Sequence, residues 1–283
     1  MITGLDHVAL VVHDLDAAVD GYSRILGREA DWRGASGGLH HAWFQLGNTA
    51  LDIVAPAPGE HPASPVTDRL ASHGEGVWAL AFATPDMARA RHRLERVGVP
   101  SSEAYPVRTT NADGAKRSWL TSVADADATH GTNIFLIETR PDAAAWPVSP
   151  VTVDEGSSVA GLDHVVVRTP DPERAAALYG ARLGLEMKLD RSNPDWGTRL
   201  MFFKLADLVV EIAHDLKAGV SAGPDSPWGL SWRVANVAAA HHRMAGSRID
   251  VSEIRKGRKP GTAVFTVKGA PGGVPTLVIG PAA

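Results

Sequence analysis

Apolar and polar positions follow a fixed cycle along this chain. Residues 5–13 (LDHVALVVH) are apolar and β-branched, the pattern of a buried strand. Asp14 then stands as an N-cap before 15–27, where Leu15, Val19, Tyr22 and Leu26 recur at helical spacing and Gly27 supplies a stop. Three short strands are predicted next, at 28–33, 39–46 and 49–55, with Leu46-Gly47-Asn48 as a hairpin signal. The unit reads β-α-β-β-β.

The cycle returns three times. A strand at 77–84 leads to a helix opened by Pro85-Asp86 and ended by Gly98, then to strands near 105–108, 117–123 and 133–139. A strand at 162–169 precedes a helix at 171–183 and strands near 186–190, 199–205 and 207–213. The last unit has a strand at 229–235, a helix at 236–246 and strands near 251–255, 262–268 and 275–280. The first and third units open alike, Gly4-Leu5-Asp6-His7-Val8 and Gly161-Leu162-Asp163-His164-Val165. Self-similarity on this scale marks a duplicated architecture. A Pro-, Ala- and Ser-rich stretch at about 141–160 reads as a linker. The prediction is an α+β fold of four βαβββ modules, paired into halves 1–142 and 158–283.

Composition narrows the classes. The chain of 283 residues is 44% hydrophobic and 21% charged, ordinary for a globular protein. It has no cysteine, which excludes disulfides, thiolate metal sites and cysteine nucleophiles. The densest basic run, Arg255-Lys256-Gly257-Arg258-Lys259, is short and reads as a solvated loop rather than a nucleic-acid face. The start lacks the layout of a signal peptide, and no apolar run approaches the roughly 18 residues of a membrane span. The expectation is a cytoplasmic protein with neither nucleic-acid nor membrane partners. No GxSxG, Walker loop or HExxH is present.

The four modules and the paired Leu-Asp-His-Val openings resemble the vicinal oxygen chelate superfamily. That group includes glyoxalase I, methylmalonyl-CoA epimerase, extradiol dioxygenases and the bleomycin- and fosfomycin-resistance proteins. The resemblance implies that each pair of modules curves into a cup. It also implies that a divalent metal often sits there, held by the first strand (usually His) and the last strand (usually Glu) of each module. Such a metal chelates substrate through two neighbouring oxygens.

Carried onto this chain, the pattern gives His7 and Asp52 from module one and Glu138 from module two, whose first-strand position is Ala79. These three would hold a divalent ion (Fe, Mn, Mg, Ni or Zn) in the N-terminal cup, with Glu138 or Asp52 able to act as base. His41, or its neighbour His40, and His130 are further candidates for that cup. In the second half His164 and Glu211 take the positions of module three, whereas module four offers Gly229 and Gly280. The second cup is therefore expected to be degenerate as a metal site. His61, His73 and the His241-His242 pair are read as loop or exposed positions.

Of the aromatics on the strands, Trp32, Trp43, Phe44, Trp78 and Trp119 in the first half and Trp196, Phe202, Phe203, Trp228 and Trp232 in the second, most are expected in the core and some to line a cup, which favours a small apolar or aromatic ligand. Arg108 and Arg117, flanking 109–116, are candidates to grip a carboxylate. The expected activity is that of a glyoxalase-like enzyme with the metal as Lewis acid. Isomerase or lyase chemistry is preferred to ring-cleaving oxygenation. The alternative is a metal-free protein of the bleomycin-resistance type that sequesters a small molecule. Both cups are complete within one chain, so a homodimer is allowed but not required.

Overall fold

The computed structural model describes residues 1–57, 59, 64–139 and 147–282. His61 and the expected boundary at 142 lie outside the described residues. Module one comprises β1 (Gly4–Val11), α1 (Leu15–Leu26), β2 (Trp32–Ser36), β3 (Leu39–Gln45) and β4 (Ala50–Pro56). After α2 (Pro65–His73), module two comprises β5 (Gly76–Ala83), α3 (Met87–Arg96), β6 (Tyr105–Thr110), β7 (Lys116–Val123) and β8 (Asn133–Glu138). Module three is β9 (Val159–Arg168), α4 (Pro172–Ala176), β10 (Glu186–Asn193), β11 (Thr198–Leu205) and β12 (Leu208–Asp215). Its helix continues as a π-helical turn over Ala177–Arg182. Module four is β13 (Ser226–Val234), α5 (Val237–Gly246), β14 (Arg255–Lys256), β15 (Thr262–Val267) and β16 (Thr276–Pro281).

One device starts the helix of every module. Asp14, Asp86, Asp171 and Asn236 each accept, through the side chain, the backbone N–H three residues on, at 2.9–3.0 Å. The helix α2 has no counterpart in the other modules and was not expected. Ser64 and Thr67 close a capping box around Pro65, so its start is well encoded.

Within a module the first strand pairs in parallel with the last, as in β1 with β4 and β9 with β12. The two modules of a half then join through their first strands, antiparallel, β1 with β5 and β9 with β13. The halves differ in one respect. In the N-terminal half the outer strands meet, Ala35 of β2 opposite Thr110 of β6, and the sheet closes into an eight-stranded barrel. In the C-terminal half the strand order is the same, but the sheet stays open between β10 and β14.

The outward faces of both sheets and the module helices contribute to a single hydrophobic core spanning the two halves. Buried Arg28 bridges them, donating to the Gln45 carbonyl at 2.9 Å and the Val159 carbonyl at 3.1 Å. Arg243 of α5 donates to the Arg24 and Ile25 carbonyls and so satisfies the last turn of α1. Among the described residues no helix is long and apolar enough to cross a membrane.

Candidate functional site

Strand alternation sorts the inward residues of the N-terminal barrel from the outward ones. Inward lie Trp32, Trp43, Ala50, Ala81, Trp119 and Ile137, packed as a cluster of their own. His7 points inward with them. Its ring meets Trp43 edge-on at 4.6 Å, and its Nδ1 donates to Asp6 Oδ1 at 2.7 Å. Asp52 also points inward, with both carboxylate oxygens 3.1–3.2 Å from Nδ1 of His41. The register sets Ala50 beside His7 and Asp52 beside Ala9. At this end of the barrel Val66 and Leu70 of α2 pack on Val11 and Val54. Among the described residues these side chains pack together inside the barrel.

Glu138 does not join His7 and Asp52. On β8 it follows Ile134 and Leu136, which belong to the outward core, whereas Ile137 faces inward. Its Oε2 accepts the backbone N–H of Met87, the first residue of α3. It serves as a carboxylate at a helix N-terminus, where the macrodipole favours negative charge. His130 also lies outside the barrel interior. It adopts a left-handed backbone in the turn before β8, and its carbonyl accepts the N–H of Asp225 from the other half. Burial and the Arg174 charge hold its imidazole pKa below the usual value. Ala79, buried in β5 opposite Ala9, leaves module two without a side-chain ligand.

The open C-terminal half is different. Its concave face holds a cavity of about 770 Å³ whose lining includes Val166, Leu200, Glu211, Ala213 and His214. The second cup, expected to be degenerate as a metal site, thus holds a cavity of ligand size. Glu211 lies in this face through its register with Phe202 and Val166. Its Oε2 is 3.4 Å from His164 Nε2, and His164 Nδ1 donates to Asp163 Oδ2 at 3.0 Å. Asp163 lies 3.6 Å from Arg233, which pairs with Asp207 at 3.1 Å, and Asp207 accepts from Asn48 of the N-terminal half.

Burial raises the Glu211 pKa, against the lowering effect of the His164 and Arg258 charges. Burial would raise that of Asp163 too, but the His164 hydrogen bond and the neighbouring cations bring it below its usual value. With Nδ1 turned to Asp163, the ring presents Nε2 to Glu211.

Other parts of this cup lay in the sequence without a motif to mark them. Trp196, Trp228, Arg168 and Arg258 line the mouth. Arg258, read as part of a solvated loop, lies over the Trp196 ring at 4.1 Å. His214, which nothing in the sequence distinguished, is buried and lines the cavity, its Nδ1 donating to the Thr169 carbonyl. His241 bonds the Ser252 carbonyl and packs on Phe265, a structural role. Arg117 lies over Trp32 near the barrel seam.

The residues present do not make a resident metal site of the kind the family pattern implies. Among the described residues no three His, Asp or Glu side chains converge as a metal-binding group. The C-terminal cup brings two donors, His164 and Glu211. A Cβ at Gly229 would stand 2.9 Å from the Pro275 carbonyl, and one at Gly280 would stand 2.4 Å from the Val234 carbonyl. Backbone closeness therefore excludes larger ligating residues from both places.

Comparisons with known proteins agree with the duplicated fold. Residues 5–156 match the glyoxalase-like domain, and 163–265 match the glyoxalase/bleomycin resistance protein/dioxygenase superfamily. An ethylmalonyl-CoA/methylmalonyl-CoA epimerase of Cereibacter sphaeroides is 34% identical over 97 residues, 31% of this chain and 72% of that protein. The mitochondrial methylmalonyl-CoA epimerase of Homo sapiens is 30% identical over 105 residues, 36% of this chain and 54% of that protein.

Among solved structures, a mutant 4-hydroxymandelate synthase from Streptomyces coelicolor superposes with a TM-score of 0.69 at 14% identity, covering 100% of this chain and 93% of that one. An Mn(II)-bound glyoxalase from Novosphingobium aromaticivorans gives 0.67 at 15% identity, covering 99% and 82%. At such identities these two likenesses establish the fold. Together with the sequence matches along both halves, they make the chain a member of the vicinal oxygen chelate superfamily, built as two glyoxalase-like units in tandem.

Proposed function

We propose that this protein is a small-molecule enzyme of the proton-transfer type, working in the open C-terminal cup. The observation that carries the reading is Glu211, which lines the cavity and is backed by His164 at 3.4 Å, itself bonded to Asp163. A carboxylate in a cavity beside an imidazole is equipped to take a proton from a carbon acid and return it. The curated relatives named above are epimerases. Epimerisation at a carbon next to a carbonyl requires that its C–H bond be broken and remade.

In this reading Glu211 accepts the proton and His164 Nε2 relays it. Asp163 holds the imidazole in register and stabilises its charged form. The field of Arg258 and Arg168 favours the enolate that develops. No step is assigned to a metal, because His164 and Glu211 do not complete a ligand set with module four.

The test is exchange of substrate C–H for deuterium in deuterated water, followed by proton NMR, with methylmalonyl-CoA and phenylpyruvate as carbon acids. The protein should accelerate exchange of at least one, and Glu211→Gln should lower that rate by about 100-fold or more. Exchange at the buffer rate for both would sink the proposal. Binding without exchange would favour a sequestering protein instead.

A further inference from the structure

The mouth of the C-terminal cavity carries two guanidinium–indole stacks. Arg168 lies over Trp228, its Cζ 3.8 Å from the ring centroid. Arg258 lies over Trp196 at 4.1 Å, with Arg191 over the same ring at 5.2 Å. Three other arginines of this half have carboxylate partners: Arg174 pairs with Asp225, Arg199 with Asp190 and Glu173, and Arg233 with Asp207. Among the described residues no such ion pair joins Arg168, Arg191 or Arg258 to a carboxylate.

Arg168, Arg258 and Lys217 line the cavity against the carboxylates of Glu211 and Asp215, an excess of positive charge that an entering anion offsets. An arginine stacked flat on an indole keeps its N–H edge free, and that edge fits a carboxylate in two parallel bonds. The indoles, 42% exposed at Trp196 and 37% at Trp228, offer flat apolar surface beside these cations. A volume of about 770 Å³ is ample for an aromatic molecule of several rings or a ring with a side chain.

We infer that the cavity takes a planar aromatic carboxylate, gripped at the mouth by Arg168 and Arg258 and lying against Trp228 and Trp196. The opposite end of the molecule is then the part that reaches Glu211. This rests on the reading of the C-terminal cup as the ligand site, and it adds the class of ligand and its direction of entry.

The experiment is calorimetric titration of the full chain with cinnamate, its neutral isostere cinnamamide, and cyclohexanepropionate, which keeps the charge and loses the flat ring. Cinnamate should bind at least about tenfold tighter than either of the others, the size expected for a hydrogen bond to a charged group. Its affinity should fall as salt rises. The preference over cinnamamide should vanish in the Arg168→Gln, Arg258→Gln double variant, whose changes lie at exposed positions.

Equal binding of cinnamate and cinnamamide would overturn the carboxylate assignment and leave the cavity reading standing. Equal binding of cinnamate and cyclohexanepropionate would overturn the aromatic assignment. A preference for cinnamate that survives in the double variant, or that ignores salt, would overturn the role of these arginines. Failure of all three to bind would overturn the ligand class and the cavity reading together.

Discussion

Glu211 carries its carboxylate into a floor that includes Val166, Leu200 and Ala213. Burial makes the charged form costly there, so the folded protein holds the Glu211 proton more readily than the unfolded chain does. The sign of the pH effect follows. The contribution of this residue to stability is complete below its ordinary value of 4.5 and is lost as pH rises through the higher folded value. Asp163 acts in the opposite sense, its stabilisation lost only as pH falls below its usual 3.8, so the two windows lie apart. Glu211→Gln keeps the shape and removes the charge. The variant should melt at a higher temperature than wild type at pH 8, and the gap should close as pH falls below 4.5, measured by thermal melts across pH. A gap that is constant, or that widens toward acid, would count against a strained carboxylate at this position.

The contrast with Glu138 belongs to the elements. Both glutamates stand on the last strand of a module, Glu138 at its end and Glu211 midway, but β8 turns Glu138 to the side of α3 and β12 turns Glu211 into the cup. One residue of strand parity separates a helix cap from a cavity carboxylate. The barrel seam is the other element that matters. Trp32 Nε1 donates to Thr109 Oγ1 at 3.3 Å across the β2–β6 closure, and a Cβ at Gly34 would stand 2.3 Å from that hydroxyl. Behind the seam Trp43 packs on Trp119 at 5.7 Å and on His7. Trp43→Ala should cost about 3–5 kcal/mol in chemical denaturation while leaving ligand affinity in the distant C-terminal cup unchanged. A loss of affinity in the folded variant would show that the barrel takes part in binding.

Much of the element order was readable because capping residues and hydrophobic period agreed, as at Asp14 with Leu15, Val19 and Tyr22. The start of α2 was written in Ser64-Pro65 and Thr67 but was masked by the surrounding prolines. Whether a sheet closes depends on tertiary contacts that no local pattern carries. The two-residue strand β14 reaches no partner on β10, and that leaves the second cup open. For the same reason the site residues were only half legible. His164 and Glu211 stand out by position, but the arginine–tryptophan mouth is assembled from four separate segments.

At the scale of the whole molecule the proposed function divides the work between the two halves. The N-terminal barrel packs its inward side chains as a cluster of their own and shares its outer core with the second half. Asn48 reaches across to donate to the Leu162 carbonyl at 2.7 Å and to Asp207, behind Asp163 and Arg233. In the proposed function the N-terminal unit is a scaffold that holds the His164 strand in place, and the C-terminal unit carries the chemistry. The most direct measurement compares deuterium exchange into a responsive carbon acid for Glu211→Gln and for Asp52→Asn, which alters the paired carboxylate inside the barrel. The account predicts that Glu211→Gln loses about 100-fold or more of the rate while Asp52→Asn, once shown to be folded, keeps most of it. Full activity in Glu211→Gln with loss in Asp52→Asn would place the chemistry in the N-terminal barrel and contradict it.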